Sequence, residues 1–510
     1  MLEQHIKVGK DVLESLTTSM YEDHKSIFRE YIQNACDQID RAVKLGILSK
    51  ISDGEIYINI NSKNRIIEIE DNATGIKANE VYSILGNIAL SNKDRENERG
   101  FRGIGRLAGL GYCDELIFET SFKDEDLKTI MSWNAKKFKQ RLNDRNHKEE
   151  ATTVIESIIS TTTEKCTSEN HFFKITLKNV SNDELLDTEI IREYLSMVAP
   201  LPIKSHFIYK NKILEEANKN GIQIDEYNIF VNSEQLYKPY SADIKDRNNK
   251  KIDDIIDIEF INIKNNDKTL LCWGWYGISK FEGTLTKNNI FRAIRLRKGN
   301  IQIGYEGTLN KLHKEDRGNN YFIGEIHAID ATLIPNARRD YFSENESCKI
   351  FEDKIKEIFY SKLHKLYYKA SDTRSAVKKI EDYNLLQEEF KVKQKIGFKN
   401  KEEIKKFQEE LERKAIEAEK AKSKLDKLKS EDDTNILKII EKTTSNVSIM
   451  EYIEEKDTKT IKPIFITQKE YPQFDRKTQK LISKIYDVID NVLPKEIALN
   501  LKHKIREKLN

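Results

Sequence analysis

Long apolar runs are missing from this 510-residue chain. Nothing in it approaches the roughly 18 apolar residues of a membrane-crossing helix. The opening Met1-Leu-Glu-Gln-His-Ile-Lys lacks the apolar core of a secretory signal, so the expectation is a soluble, cytoplasmic protein with no membrane partner. Cysteine is sparse and scattered: Cys36, Cys113, Cys166, Cys272 and Cys348 show no C-x-x-C spacing. That argues against a zinc site or a disulfide framework and fits a reducing compartment. An excess of one charge is also lacking. Charged residues make up 34% of the chain, yet the net charge is only +2, so no bulk field selects nucleic acid or an anionic membrane. Proline is absent before Pro200 and Pro202, which fall near an expected domain junction. The length suits about three domains.

What is there begins with Glu30-Tyr-Ile-Gln-Asn34-Ala-Cys-Asp37. On a helix Glu30, Asn34 and Asp37 stack along one face. Phe28, Ile32, Ala35 and Ile39 form a neighbouring apolar stripe, so the helix can bury one side and aim acids from another. An amide oxygen can hold a divalent cation there, and a glutamate can take a proton from water. A solvated polar face has the same pattern.

A strand with a terminal turn follows, Arg65-Ile-Ile-Glu-Ile-Glu-Asp71-Asn-Ala-Thr-Gly75-Ile76. Alternation puts Ile67, Ile69 and Asp71 on one face. A carboxylate on the apolar parity must find donors. They are either backbone N–H groups of its own turn or the exocyclic amine of an adenine. Gly75 lets backbone approach a flat ring. Next comes Arg99-Gly100-Phe101-Arg102-Gly103-Ile104-Gly105-Arg106-Leu-Ala-Gly109, whose glycines can turn N–H groups toward phosphate at a helix start. Tight turns use the same composition. The polar stretch from Ser91 to Arg99 reads as a lid or a plain surface loop.

In this order the three elements resemble the ATP-binding domain of the superfamily of DNA gyrase, ninety-kilodalton heat-shock chaperones, histidine kinases and MutL (GHKL). The resemblance implies an α+β fold: a two-layer α/β sandwich of the Bergerat type, an α/β middle (transducer) domain, and a helical, partly coiled-coil C-terminal region. It implies ATP with Mg2+, Glu30 as general base, Asn34 as the magnesium ligand and Asp71 as adenine reader. Gly75 lies beneath the base, and Gly100, Gly103 and Gly105 hold lid and phosphates. Further nucleotide contacts are carried over to Asp37, Ile76, Lys93, Phe101, Arg102 and Ile104. Two positions depart from the family pattern: Ala73 stands for a turn glycine, and Phe173 stands for a threonine that touches nucleotide.

The expected domains are 1–185 (ATP binding), 186–345 (middle), 346–432 (helical and coiled-coil) and 433–510 (helical). Leu270–Tyr276 and the hairpin Ile294–Ile303, turning at Gly299-Asn300, read as strands. The run Lys287–Ile290 and the loop Leu333-Ile-Pro335-Asn336-Ala-Arg338-Arg339-Asp340 resemble the heat-shock chaperone middle domain. There an arginine reaches the ATP γ-phosphate, which implies Arg339, with Arg338 the alternative. His327 and Asp330 read as core packing rather than metal ligands. From Glu402 to Lys429 a heptad seam (Ile404, Phe407, Leu411, Ala418, Ala421, Leu425, Leu428) is interrupted by Lys414. It fits a dimeric coiled coil, a solvated helix or an intramolecular hairpin.

The expected activity is ATP hydrolysis driving domain motion, with a homodimer through the C-terminal region. Val8–Tyr21 and Arg29–Asn34 resemble a bacterial group of these ATPases, several associated with defence against phage. That ranks a defence or DNA-associated clamp first, a chaperone acting on protein clients second, and a nucleotide-sensing scaffold third. No phospho-acceptor histidine helix and no acidic DNA-cleavage cluster are evident in the sequence, which disfavours histidine kinase and topoisomerase.

Overall fold

Alternating apolar residues build most of the first sheet. The computed structural model describes residues 7–17, 23–90, 103, 105–246, 248–431, 433–445 and 464–509. The chain divides into two compact units, Met1–His364 and Lys365–Asn510.

In the first unit, eight strands form one sheet: β1 (Glu55–Asn61), β2 (Ile66–Asp71), β3 (Glu115–Ser121), β4 (Leu127–Trp133), β5 (Ile159–Lys165), β6 (Phe172–Lys178), β7 (Asn228–Val231) and β8 (Glu234–Gln235). Their order is β5-β4-β3-β6-β2-β1-β7-β8, antiparallel except for the parallel pair β1–β7. The sheet thus draws two strands from beyond residue 185. In β2 the inward face is Ile67, Ile69 and Asp71, the parity expected from alternation. Helix Ser26–Lys44 shares a core with this sheet through Phe28, Ile32, Ala35 and Ile39.

A short pair, β9 (Asp243–Lys245) and β10 (Lys251–Asp254), precedes a second sheet. That sheet contains β11 (Asp257–Lys264), β12 (Leu270–Ile278), β13 (Ala293–Lys298), β14 (Ile301–Gln302) and β15 (Ile323–Ala328), in the order β11-β12-β15-β13-β14. The β13–β14 turn is made by Gly299 and Asn300, both at positive φ (53° and 57°), as its turn chemistry anticipates. Trp273 and Trp275 fill the core beneath β12.

Within this domain a charged cluster is almost wholly buried. Glu325 on β15 meets Lys238 Nζ at 2.9 Å and Arg297 Nε at 2.6 Å, and accepts from Tyr240 Oη at 2.8 Å. His327 Nε2 lies 3.0 Å from its other oxygen. His327 is therefore a packed, hydrogen-bonded core residue. No group of three or more metal-ligating side chains occurs among the described residues. Arg297 also donates to Met197 O at 2.6 Å, tying the second sheet to helix Thr188–Val198.

The second unit is helical. Helix His364–Ile396 ends at Gly397, whose φ of 112° suits only glycine, and Lys401–Lys429 follows. The heptad seam is used inside the chain: Ala418, Ala421 and Leu425 pack on Ala376, Val377 and Ile380. Lys414, the polar interruption, meets Asp382 at 3.0 Å, and Lys424 meets Asp372 at 2.8 Å, in antiparallel register. The hairpin alternative describes this seam. Among the described residues no helix is long and apolar enough to cross a membrane.

Candidate functional site

Helix Ser26–Lys44 carries the polar residues of the site, but not on an open face. Glu30, Gln33 and Asp37 are buried along with the apolar stripe, while Asn34 is half-buried. The acidic face was expected to be aimed outward from the buried one. At Glu30 it is covered instead by the 3-10 segment Gly105–Gly111. A Cβ on Gly105 would stand 2.6 Å from Glu30 Oε2, so glycine sets how closely backbone approaches that carboxylate. Gly109 N donates to Tyr31 Oη at 2.9 Å, seating the next turn. Arg106, half-buried with its guanidinium pushed down to about 10 by desolvation, braces the segment through Leu85 O (3.1 Å) and Asn87 O. Gly103 has a φ of +68°. Lys93, Gly100, Phe101, Arg102, Ile104 and the expected lid from Ser91 to Arg99 lie outside the described residues.

Asp71 ends β2 and is buried. Its Oδ1 accepts from Ala73 N at 3.1 Å, the turn-internal bond open to it from sequence. Burial is the main influence on the carboxyl: it pushes the pKa up to about 7 against the lowering effect of that N–H, with Glu70 adding to the rise. Keeping the carboxylate ionised therefore costs about 4 kcal/mol relative to the unfolded chain. Phe173 is the cross-strand neighbour of Asp71 and stacks on Phe118 (centroids 5.9 Å apart), so a ring sits where the resemblance implies a threonine. An apolar neighbour in that place is a physical source of the desolvation.

The turn after Asp71 is built without positive φ at Ala73. Gly75 takes φ +65°, and a Cβ there would fall 1.9 Å from Ser121 O. Thr120 Oγ1 accepts from Ile76 N (2.8 Å) and donates to Phe172 O (2.9 Å). His171 Nδ1 lies 2.7 Å from Ala73 O. Thr74 donates to Gln38 at 2.7 Å, joining the turn to the helix that carries Asn34 and Asp37.

From the far end of the unit, the loop after β15 enters the same site. Asn336 O accepts from Arg339 N at 3.1 Å, Asn336 N donates to Tyr341 O at 2.9 Å, and Asn336 Nδ2 donates to Asp340 at 2.6 Å. The turn places Arg339 in the left-handed region (φ +56°), a strained conformation for a side-chain residue. Its guanidinium is buried: Nε is 3.3 Å from Glu30 Oε1, and Nη1 donates to Gln33. Arg338 is exposed, with its carbonyl accepting from Arg29 Nη2 at 3.4 Å. The structure thus brings Arg339, not Arg338, to Glu30.

Several residues in this arrangement escaped sequence reasoning. Gln33 could have been suspected, because it lies one turn from Glu30 on the helix. Arg29, Thr120 and His171 contribute through contacts that no local pattern encodes.

Residues 24–171 match the family described as "Histidine kinase-, DNA gyrase B-, and HSP90-like ATPase". The chaperone protein HtpG of Buchnera aphidicola is 29% identical over 164 residues, covering 28% of this chain and 26% of that protein. HtpG of Wigglesworthia glossinidia brevipalpis is 23% identical over 258 residues, covering 46% and 37%. HtpG of Fusobacterium nucleatum is 28% identical over 142 residues, covering 24% and 23%. The chain therefore spans between about a quarter and little more than a third of the length of these curated relatives.

Proposed function

We propose, for a chain whose residues 24–171 form a GHKL-type ATPase domain, that it is an ATP-hydrolysing conformational clamp. The observation that carries this reading is the ion pair of Glu30 with Arg339, two buried groups from distant parts of the sequence. Glu30 serves as general base, taking a proton from water as it attacks the γ-phosphate. Arg339 moves from the carboxylate to the phosphate, where a forked, permanent cation offsets developing charge. Asp71 accepts the adenine amine, and Gly75 and Ile76 form the floor beneath the base. Asp37 and the glycine segment, with Lys93, Gly100, Phe101, Arg102, Gly103, Ile104 and Gly105, line sugar and phosphates.

Asn34 would hold Mg2+ through its amide oxygen. Mg2+ favours oxygen ligands and commonly keeps waters and substrate phosphates, so one half-buried amide suits it. Bound there, the ion would neutralise phosphate charge.

The raised Asp71 pKa gives a signed pH dependence. Its contribution to stability in the empty protein is fully present below pH 3.8 and is lost as pH rises through about 7. An adenine amine favours the ionised form, so uptake releases a proton. Affinity for magnesium ATP should rise about tenfold between pH 6 and 8. Titration calorimetry in buffers of different ionisation enthalpy reads the proton directly. A flat profile, or an unchanged slope in Asp71→Asn, contradicts the assignment.

We propose domain limits at 185, 345 and 432, with strands β7 and β8 returning across the first of them to the opening sheet, and assign homodimerisation to the C-terminal region. Helix Arg476–Val492 supports that assignment by exposing Leu481, Ile485, Val488 and Val492 at helical spacing. The setting proposed is anti-phage defence or another DNA-associated process, resting on the resemblance of the opening segment. A second reading, action on protein clients, is favoured by the HtpG similarity, which in one relative extends over 258 residues. DNA binding that weakens steeply with salt supports the first, and salt-insensitive capture of unfolded protein the second. Light scattering with a non-hydrolysable ATP analogue, read beside phosphate release with ATP, tests the clamp. A compaction or doubling of mass together with turnover is expected, and binding with neither change would reduce the protein to a static binder.

A further inference from the structure

The near-zero net charge of the chain conceals a division between its two units. Residues 1–364 carry 53 Lys or Arg against 58 Asp or Glu, a net −5. Residues 365–510 carry 34 against 27, a net +7. The field that the whole chain lacks is therefore present on the second unit.

Within that unit the excess is concentrated. Between Lys391 and Lys406 there are seven lysines and two glutamates. This stretch turns at Gly397, and the C-terminal helices hold the turn. Lys469 of helix Ile466–Glu470 donates to Lys395 O, Ser483 of helix Arg476–Val492 donates to Lys399 O at 2.6 Å, and Asn400 donates to Asp487 at 2.8 Å. Lys480 and Lys484 lie three residues before and one residue after Ser483, so they border the same contact.

The acids of this quarter are already engaged. Glu403 lies 2.8 Å from Lys393, Asp490 lies 3.1 Å from Lys399 and also meets Lys502, and Glu470 lies 3.2 Å from Arg506. Asp475 caps helix Arg476–Val492, and Asp487 is held by Asn400. Only Glu402 among them has no partner among the described residues. The cations are left over: Lys391, Lys395, Lys401 and Lys406 on one side, and Lys477, Lys480 and Lys484 on the other, are all exposed and form no ion pair among the described residues.

A surface that consumes its acids and keeps seven lysines repels itself, and a polyanion relieves that repulsion. From Lys477 to Lys484 the helix rises about 10 Å, the length of about three phosphate steps along one DNA strand. The exposed residues of 391–406 and 469–484 include no aromatic, so no stacking platform for unpaired bases is offered. We propose, on the DNA-associated reading above, that this surface of the second unit binds the phosphate backbone of duplex DNA without reading its sequence, with Lys395, Lys401, Lys480 and Lys484 at its centre.

The test is fluorescence anisotropy of a labelled duplex of about 30 base pairs with the full chain, across a range of KCl concentrations. Duplexes of unrelated sequence should bind alike. The pairs Lys395→Glu with Lys401→Glu, and Lys480→Glu with Lys484→Glu, should each weaken binding at least tenfold. The matching alanine pairs should lower the slope of log affinity against log salt by about two. Lys63→Glu with Lys148→Glu, an equal change of charge at exposed residues of the first unit, should leave affinity within about twofold. Salt-dependent binding that both patch pairs leave unchanged, or that the control pair weakens equally, overturns the proposal while the DNA-associated reading stands. No duplex binding by folded wild-type chain removes that reading and the proposal with it. Capture on phosphatidylserine vesicles in place of duplex would give the surface to an anionic membrane instead.

Discussion

Glu30→Ala should retain nucleotide affinity and lose turnover by at least roughly 10²-fold, the scale of a positioned general base. Arg339→Ala should lose about 10²- to 10³-fold, the scale for removing one charge-stabilising donor. Both expectations rest on one contact, 3.3 Å between two buried groups separated by most of the first unit's sequence. In the present arrangement Arg339 is paired with the carboxylate proposed as base, and on the proposed mechanism ATP competes for the arginine. The γ-phosphate is the group able to draw it away. Arg339→Lys should recover little, because a point charge cannot meet Gln33 and a phosphate with a fixed fork. Arg338→Ala is the control, since that side chain is exposed, and it should change turnover by about twofold at most. Equal losses at 338 and 339, or a fully active Glu30→Ala, would remove the pair from the mechanism. Single-turnover phosphate release separates these outcomes from altered binding.

The second large effect concerns stability. Glu325→Ala should destabilise the first unit by about 3–5 kcal/mol, because it strands Lys238 and Arg297 as buried cations. Burial pushes the Glu325 carboxyl up, but Arg297 and then Lys238 outweigh it and hold the group well below the usual carboxylate range. Lys238 is pushed down to about 8 by burial and by Arg297, against the pull of Glu325. A carboxyl depressed in this way contributes stability that is present above its ordinary value of 4.5 and is lost as pH falls below it. The Glu325→Ala variant should therefore show a much weaker acid transition as well as a lower denaturant midpoint. Since Arg297 also holds Met197 O, the loss should spread to helix Thr188–Val198. An unchanged midpoint would show the cluster to be energetically neutral.

Local patterns were legible in the sequence where they decide the structure locally. Parity placed Asp71 inward, and turn chemistry placed Gly299 and Asn300. The three-element order pointed to the ATPase domain that the family match covers. Long-range packing was not legible. That Glu30 on helix Ser26–Lys44 is covered was not legible, because its cover at Gly105 lies some 70 residues away. Strands β7 and β8 are too short for periodicity to show that they pair beside β1. The heptad seam told what it buries but not against which partner, and Asp382 and Asp372, which meet its lysines, sit on the preceding helix. Phe173 stood out as a departure, but only its register opposite Asp71 connects it to a carboxyl whose pKa burial raises.

The central claim is an adenine nucleotide pocket between helix Ser26–Lys44 and the Asp71 turn. Titration calorimetry of the folded chain with ATP, with and without magnesium, tests it most directly. Saturable, magnesium-dependent uptake that is lost in Asp71→Asn is expected. Absence of uptake by protein shown to be folded would contradict it.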